Sequence, residues 1–225
     1  MINVVKSSQP SSDFKYTDHE IKSVIKSDFH EMCFLCEEVA LRHSEIEHFY
    51  PVKGGWPEKE HEWDNLLWCC EKCNKIKSNS YNRKAENGNI EKEILKSWVD
   101  NVENTLKLSI DFSTHEVFFN FEGTDSRIAN TVELLDKIYN GKGTSSLSYI
   151  DLRKMIIEEL AEFLSLVESY LNAEKPAWYK EIQETDIKVR LSKTNKNAKS
   201  SFVSFKRWYI LDKENLRQDF QRHFD

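Results

Sequence analysis

No stretch of this 225-residue sequence stays apolar for the roughly 20 residues that a bilayer-spanning helix needs, so no such span is expected. The opening MINVVKSSQPSS lacks the charged-then-apolar pattern of a signal peptide, which makes the cytoplasm the expected compartment. A G-x-x-x-x-G-K-[ST] loop is missing, and with it any Walker-type nucleotide site. No internal repeat is present, and no low-complexity tract beyond one lysine-rich stretch. An excess of positive charge is lacking too. The net charge is −6 and the pI about 5.7, whereas nucleic-acid binders usually carry a basic footprint because phosphate neutralisation supplies much of their affinity. Five cysteines in a reducing compartment do not make a disulfide framework; they point to metal ligation or chemistry.

What is present is a soluble, globular composition, 39% hydrophobic and 31% charged, in a chain long enough to bury a core without disulfide staples. The charge is uneven. Between Ile187 and Ile210 lie Lys188, Arg190, Lys193, Lys196, Lys199, Lys206 and Arg207 without a single acid. Two readings stay open for this stretch, a solvated loop and a phosphate-contacting one. An acidic whole with local basic patches also fits a subunit that relies on a partner for affinity.

Periodicity divides the chain into a lead-in (1–30), a cysteine- and aromatic-rich module (31–90) and a mostly helical region (91–225). The expected fold class is α+β, mainly α. In the lead-in, Ile21, Val24, Ile25 and Phe29 share one face of a short helix within Tyr16–Phe29. Ile94, Leu95, Trp98, Val99, Val102 and Leu106 predict a second helix over Glu91–Leu106. The alternation Glu116-Val-Phe-Phe-Asn-Phe predicts one or two strands within Leu108–Phe121. A helix over Ile128–Tyr139 should stop at Asn140-Gly141, and Ser148 is placed to cap the next one. That next helix has the strongest period, with Leu152, Met155, Ile156, Leu160, Phe163, Leu164, Val167 and Leu171 as a core stripe ended before Pro176. A polar, lysine-rich stretch and then an aromatic-rich amphipathic segment, Phe202–Phe224, follow.

Cys33-Phe-Leu-Cys36 and Cys70-Glu-Lys-Cys73 are two C-x-x-C knuckles. Each spacing lets two thiolates converge on one ion, and together they supply the four sulfurs of a closed tetrahedral Zn²⁺ site. A single C-x-x-C is also the spacing of a redox pair, but two of them around a polar insert favour zinc. Cys69 lacks the two-residue gap to Cys73 and is assigned to packing as a buried thiol. Four sulfurs leave no open coordination position, so this metal is structural.

The insert begins Ser44-Glu-Ile-Glu47-His48-Phe-Tyr-Pro51 and ends Asp64-Asn65-Leu-Leu-Trp-Cys-Cys70, before Glu-Lys-Cys73-Asn74-Lys-Ile-Lys77. A carboxylate beside a histidine, then Asn-Leu, then Cys-x-x-Cys-Asn-x-x-Lys resembles the HNH nuclease family over residues 33–77. The family's zinc-braced ββα-metal fold would put Glu47 and His48 on the first strand of a hairpin. Asn65 would lie in the connecting loop, and Asn74 at the start of the helix after the second knuckle. Asparagine stands at 74 where one form of the family carries a histidine.

Phosphodiester hydrolysis needs an activated water, a stabiliser of transition-state charge and help for the leaving 3′ oxygen; one divalent cation can serve the last two. Glu47 and Asn74 offer hard oxygen ligands suited to Mg²⁺ or Mn²⁺. His48, with an ordinary pKa near 6.5, can take a proton from water at neutral pH. The resemblance makes Asn65 a loop-orienting residue that fixes the imidazole. Lys77, one turn after Asn74, and its neighbour Lys75 are candidate phosphate contacts, with a solvated lysine the alternative. His30, His43 and His61 are sequence neighbours that no spacing singles out, and Trp56, Trp63 and Trp68 read as packing.

Further matches narrow the resemblance. Tyr16-Thr-Asp-His-Glu-Ile, Cys-Phe-Leu-Cys-Glu37, Ile46-Glu-His-Phe49 and Trp63-Asp-Asn-Leu-Leu67 are similar to the HNH subunit of Septu and retron-associated anti-phage systems (PtuB-like). Thr131-Val-Glu-Leu-Leu135 and Phe205-Lys-Arg-Trp-Tyr209 fit the same group more loosely. This resemblance implies a hetero-oligomer with an ABC-type ATPase subunit (PtuA-like), a nucleic-acid substrate and no membrane association. It also makes the apolar stripes of the C-terminal half candidates for docking that partner.

Overall fold

The computed structural model describes residues 1–10, 14–39, 43–145, 147–194 and 200–224. The described residues are mainly helical with three two-stranded antiparallel sheets, an α+β arrangement. No helix among them is long and apolar enough to cross a membrane.

The first helix, α1 (His19–Asp28), buries Ile21 and Ile25 and leads into the first C-x-x-C. Strands β1 (Ser44–His48) and β2 (Leu66–Cys70) then pair with Ile46 opposite Trp68 and Glu47 opposite Leu67. Helix α2 (Glu71–Lys77) starts without a connecting loop, because the Cys70 sulfur accepts the backbone N–H of Cys73 and caps it. Every residue of β2 is buried. The α1 side of the sheet carries Trp68, covered by the Lys22 and Lys26 ammonium groups, and the other side meets α2. Unalternating burial is what a strand covered on both faces shows.

A small ladder follows, β3 (Arg83–Lys84) with β4 (Ile90–Glu91). The helix expected over Glu91–Leu106 is not formed as such; only α3 (Val102–Thr105) is helical there, and Leu106 opens a strand. Its backbone groups find partners elsewhere. The N–H of Ile94 donates to the Asn82 side chain, that of Leu95 to Thr131 Oγ1 and that of Lys96 to Asp100, while the Ser97 carbonyl accepts from Val4. Ile94 and Leu95 are buried but Val99 is 71% exposed, so the apolar spacing served an irregular segment.

Where one or two strands were expected within Leu108–Phe121, two form and pair antiparallel, β5 (Leu106–Ile110) with β6 (Val117–Phe121), the first starting two residues early. Helix α4 (Ser126–Asn140) ends at Gly141, whose φ of +71° suits a residue without a Cβ. Helix α5 (Ser148–Leu171) buries Leu152, Ile156, Leu160, Phe163 and Val167. Ser148 is its first residue and not its cap, and Met155 and Leu171 remain exposed. After Pro176 the chain forms helix α6 (Ala177–Leu191) where a polar stretch was expected, followed by α7 (Val203–Leu211) and α8 (Glu214–Phe220). One buried cluster runs from Met1 through the cysteines and α4 to Phe205, so the three sequence regions share a core. A second, around Phe163, Ile187, Ile210 and Phe220, joins α5 through α8.

The basic stretch from 187 to 210 is neither a solvated loop nor a phosphate-contacting one where it is described; Lys196 and Lys199 lie outside the described residues. Arg190 pairs with Glu159 and Glu162, Lys206 with Glu159, Arg207 and Lys193 with Glu103, and Lys188 with Glu184. Lys206 is fully buried, and burial pushes its pKa down to about 8 despite Glu159 at 2.7 Å. Glu159 therefore neutralises two buried cations at once. Replacing it by glutamine leaves both underpaired, and Glu159→Gln should lower unfolding free energy by about 3 kcal/mol, read from urea denaturation.

Candidate functional site

The two knuckles converge. Sγ atoms of Cys33, Cys36, Cys70 and Cys73 all lie within 4.8 Å of one another and all four residues are buried. Zinc–sulfur bonds of about 2.3 Å in a tetrahedron put sulfurs about 3.8 Å apart, and the Cys36 and Cys70 sulfurs stand at 3.9 Å. Backbone N–H groups of Cys70 and Cys73 donate to the Cys33 and Cys70 sulfurs, a way of holding negative thiolates. The donor set fits a four-coordinate soft-ligand ion, and the cluster could hold a metal such as zinc. Among the described residues it is the one group of His, Cys, Asp or Glu side chains placed to do so. Cys69 Sγ approaches Cys33 to 3.9 Å, but burial pushes its thiol well above the ordinary range and keeps it protonated.

The first knuckle is tied to Met1 and to the start of α7. Glu37, fully buried, accepts from the Ser204 N–H at 2.9 Å and the Ser204 hydroxyl, and pairs with the Met1 amine at 2.5 Å. The Phe202 N–H donates to the Glu37 carbonyl.

Glu47 and His48 close β1 and, as sequential strand residues, point to opposite faces. On the α2 face, two residues of β1 meet two of the helix. Asn74 Nδ2 donates to Glu45 Oε1 at 2.7 Å, and Lys77 Nζ donates to Glu47 Oε1 at 2.6 Å. The Lys77 ammonium also donates to the His48 carbonyl at 2.8 Å and is fully buried. That burial is at odds with a phosphate contact for Lys77; the residue neutralises Glu47 from inside. Lys75 is exposed and pairs with Glu71 one turn earlier. Asn74 is not bonded to Glu47, so the expected pair of oxygen ligands is not joined directly. With its Nδ2 anchored on Glu45, the Oδ1 of Asn74 is left as the hard donor, and Lys77 leaves Oε2 of Glu47.

On the other face, His48 Nε2 lies 3.0 Å from the Glu60 carbonyl. A carbonyl only accepts, so Nε2 carries the proton and Nδ1 keeps the lone pair. Tyr16 packs edge-on against the imidazole with ring centroids 4.9 Å apart, and its other neighbour is His61. Asn65 organises the long β1–β2 connection that supplies Glu60. Its Oδ1 accepts from the Tyr50 N–H at 2.7 Å, and its Nδ2 donates to the Lys59 carbonyl at 2.9 Å, one residue before the carbonyl that holds His48. Trp63 and Trp68 are buried, and Trp56 donates through Nε1 to the Asn82 carbonyl.

Two contributors carried no signal in the sequence: Glu60 acts through a backbone carbonyl, and Asn82, with φ of +56°, ties the Phe49 carbonyl to the Ile94 N–H. Tyr16 stood out only as part of the resemblance, with no role assigned to it. Lys6 reaches across to the Trp63 and Leu66 carbonyls, and burial lowers its pKa to about 8.

Two variants test this construction. Cys36→Ser should lose the bound zinc of the purified chain and melt roughly 10 °C lower, since metal binding is folding energy, by metal analysis and calorimetry. Asn65→Ala strands the Tyr50 N–H and the Lys59 carbonyl. It should cost about 2 kcal/mol and accelerate hydrogen exchange at Tyr50.

The chain is similar to the Septu protein PtuB of Bacillus mycoides (strain KBAB4), at 30% identity in an alignment of 80 positions that covers 29% of this chain and 27% of that protein. No family model matches the chain, and no solved structure matches it. The likeness thus spans about a quarter of the curated relative's length.

Proposed function

We propose that this chain is a metal-dependent HNH endonuclease that cleaves nucleic acid, DNA in preference to RNA, as the effector of an anti-phage defence complex containing an ABC-type ATPase. The observation that carries the reading is the fixing of His48. Its Nε2–H is held by the Glu60 carbonyl, its ring by Tyr16 and its loop by Asn65, which presents Nδ1 as a base one residue from Glu47. In this reading Nδ1 accepts the proton of a water as its oxygen attacks phosphorus and the bond to the 3′ oxygen breaks. A Mg²⁺ or Mn²⁺ ion held by Glu47 and Asn74 would supply charge stabilisation to the phosphorane-like transition state and the leaving oxygen. Lys77 pairs with Oε1 of Glu47 and so fixes the direction of that carboxylate. The four cysteines play no part in the chemistry and hold the strand and helix that carry it.

The partner reading leans on the likeness to a Septu protein. It does not lean on the apolar stripe of α5, which is spent on the core. Apolar side chains left outside include Phe112, Phe118 and Phe121 of the β5–β6 hairpin and Trp178 and Ile182 of α6.

One observation favours a second reading, a zinc-braced binding module without nuclease chemistry: Lys77 already compensates Glu47, and Asn74 turns its amide to Glu45. Cleavage separates the two. Wild type with Mg²⁺ or Mn²⁺, assayed with and without an ABC-type ATPase subunit of the Septu kind, should nick plasmid DNA. His48→Ala should lose at least about 100-fold while remaining folded and zinc-loaded. Undiminished cutting by His48→Ala would sink the mechanism, and no cutting by wild type in any condition would favour the binding module.

A further inference from the structure

Beyond the ends of β1 and α2 the surface opens into a broad groove of about 1120 Å³, walled by the loop after β1, by residues 78–80 after α2 and by the β3–β4 ladder. We propose that this groove binds the sugar-phosphate backbone of the strand presented to His48, with Lys53 and Arg83 as its phosphate contacts; the proposal rests on the nuclease reading above.

Charge is the first argument. The chain carries −6 overall, yet the groove is lined by Lys53, Arg83, Lys84 and Lys92 against a single carboxylate, Glu91. Lys84 and Lys92 are engaged by Glu58 and Glu133 and frame the walls. Lys53 is exposed and has no acidic partner among the described residues, and Arg83 stands 3.9 Å from Glu91 with more than half of each side chain in solvent. Among the described residues of the stretch 190–207, Arg190, Lys193, Lys206 and Arg207 are spent on internal pairs.

Shape is the second. Gly54 and Gly55 form a wall of bare backbone that tolerates no side chain. A Cβ at Gly54 would run into the Pro51 ring, and one at Gly55, whose φ is +102°, would come within 2.8 Å of Lys84 Cβ. Their N–H groups are spent within the turn, on the Pro51 and Val52 carbonyls, so what this wall offers is close approach without a side chain in the way. Across the groove, Ser78 holds φ +49° and ψ −157°, a region that residues with a Cβ rarely occupy. Position is the third. Ser78 directly follows Lys77, which touches Glu47 and the His48 carbonyl, and Lys53 lies five residues past His48. A strand in the groove therefore runs toward the end of β1 and not toward the buried cysteines.

The test is binding of a fluorescein-labelled 20-nucleotide DNA strand and its duplex to the full chain without Mg²⁺ or Mn²⁺, across a salt series, alongside cleavage with Mn²⁺. The double variant Lys53→Ala/Arg83→Ala should bind about tenfold more weakly, with the slope of log affinity against log salt reduced by about two. It should cleave with a raised KM at nearly unchanged kcat. A control, Lys154→Ala/Lys175→Ala, removes two exposed charges elsewhere and should leave both unchanged. Wild-type binding by the double variant, with wild type still cutting, overturns the groove and leaves the nuclease reading standing. Binding that depends on Lys53 and Arg83 with no cutting by any protein keeps the groove and sinks the nuclease. Neither binding nor cutting by wild type sinks both. Loss of ATPase assembly with intact nucleic-acid binding would make the groove a protein-docking surface and overturn the proposal.

Discussion

Four sulfur atoms drawn within 4.8 Å of one another bring residues 33–36 and 70–73 to one point, and most other contacts of the module inherit their geometry from that meeting. From the second knuckle run β2 backward and α2 forward, so the convergence sets the helix against the sheet. From the first knuckle the chain passes at once to Glu37, whose buried carboxylate gathers the Met1 amine and the start of α7. The sheet, the helix, the Met1 amine and the start of α7 are thereby gathered around one cluster. Apolar packing then fills the space between, in a core that does not stop at the boundary of the cysteine-rich region.

The side chains proposed for chemistry are held by a second kind of constraint, exchange of hydrogen bonds between loops and strand ends. His48 depends on a carbonyl of the β1–β2 connection, that connection depends on Asn65, and the same loop is laced from outside by Lys6, Asn82 and the Trp63 indole donating to the Ser7 carbonyl. Three short 3-10 turns, Val52–Gly54, Pro57–Lys59 and Trp63–Asn65, and these side-chain bonds between them hold the long connection in place.

What could be read beforehand followed the range of the interactions. The helices α1, α4 and α5 and the β5–β6 hairpin follow from spacing, because each buries a regular face, and the Gly141 stop is local chemistry. The four cysteines announced their cluster through spacing alone. Residues 91–106 had helical spacing but lost the helix to partners distant in sequence, Asn82, Thr131 and Val4, which no local pattern reveals. The basic stretch misled in the same way, since Glu103 and Glu159, which pair with Arg190, Lys193, Lys206 and Arg207, lie 31 to 104 residues away from them. Lys77 was visible as a lysine one turn past Asn74, but its burial against Glu47 depends on the sheet packing under α2.

Helix α2 is only seven residues long, and three of them face three different obligations: Cys73 completes the sulfur cluster, Asn74 reaches Glu45 and Lys77 reaches Glu47. Each residue of an α-helix advances the azimuth by about 100°. Adding or removing one residue between Cys73 and Lys77 would swing the ammonium away from β1 while the sulfur stayed fixed. The length of this turn is therefore as constrained as the identity of the three residues it carries, and an insertion within it would part the sulfur cluster from the Glu47 pair.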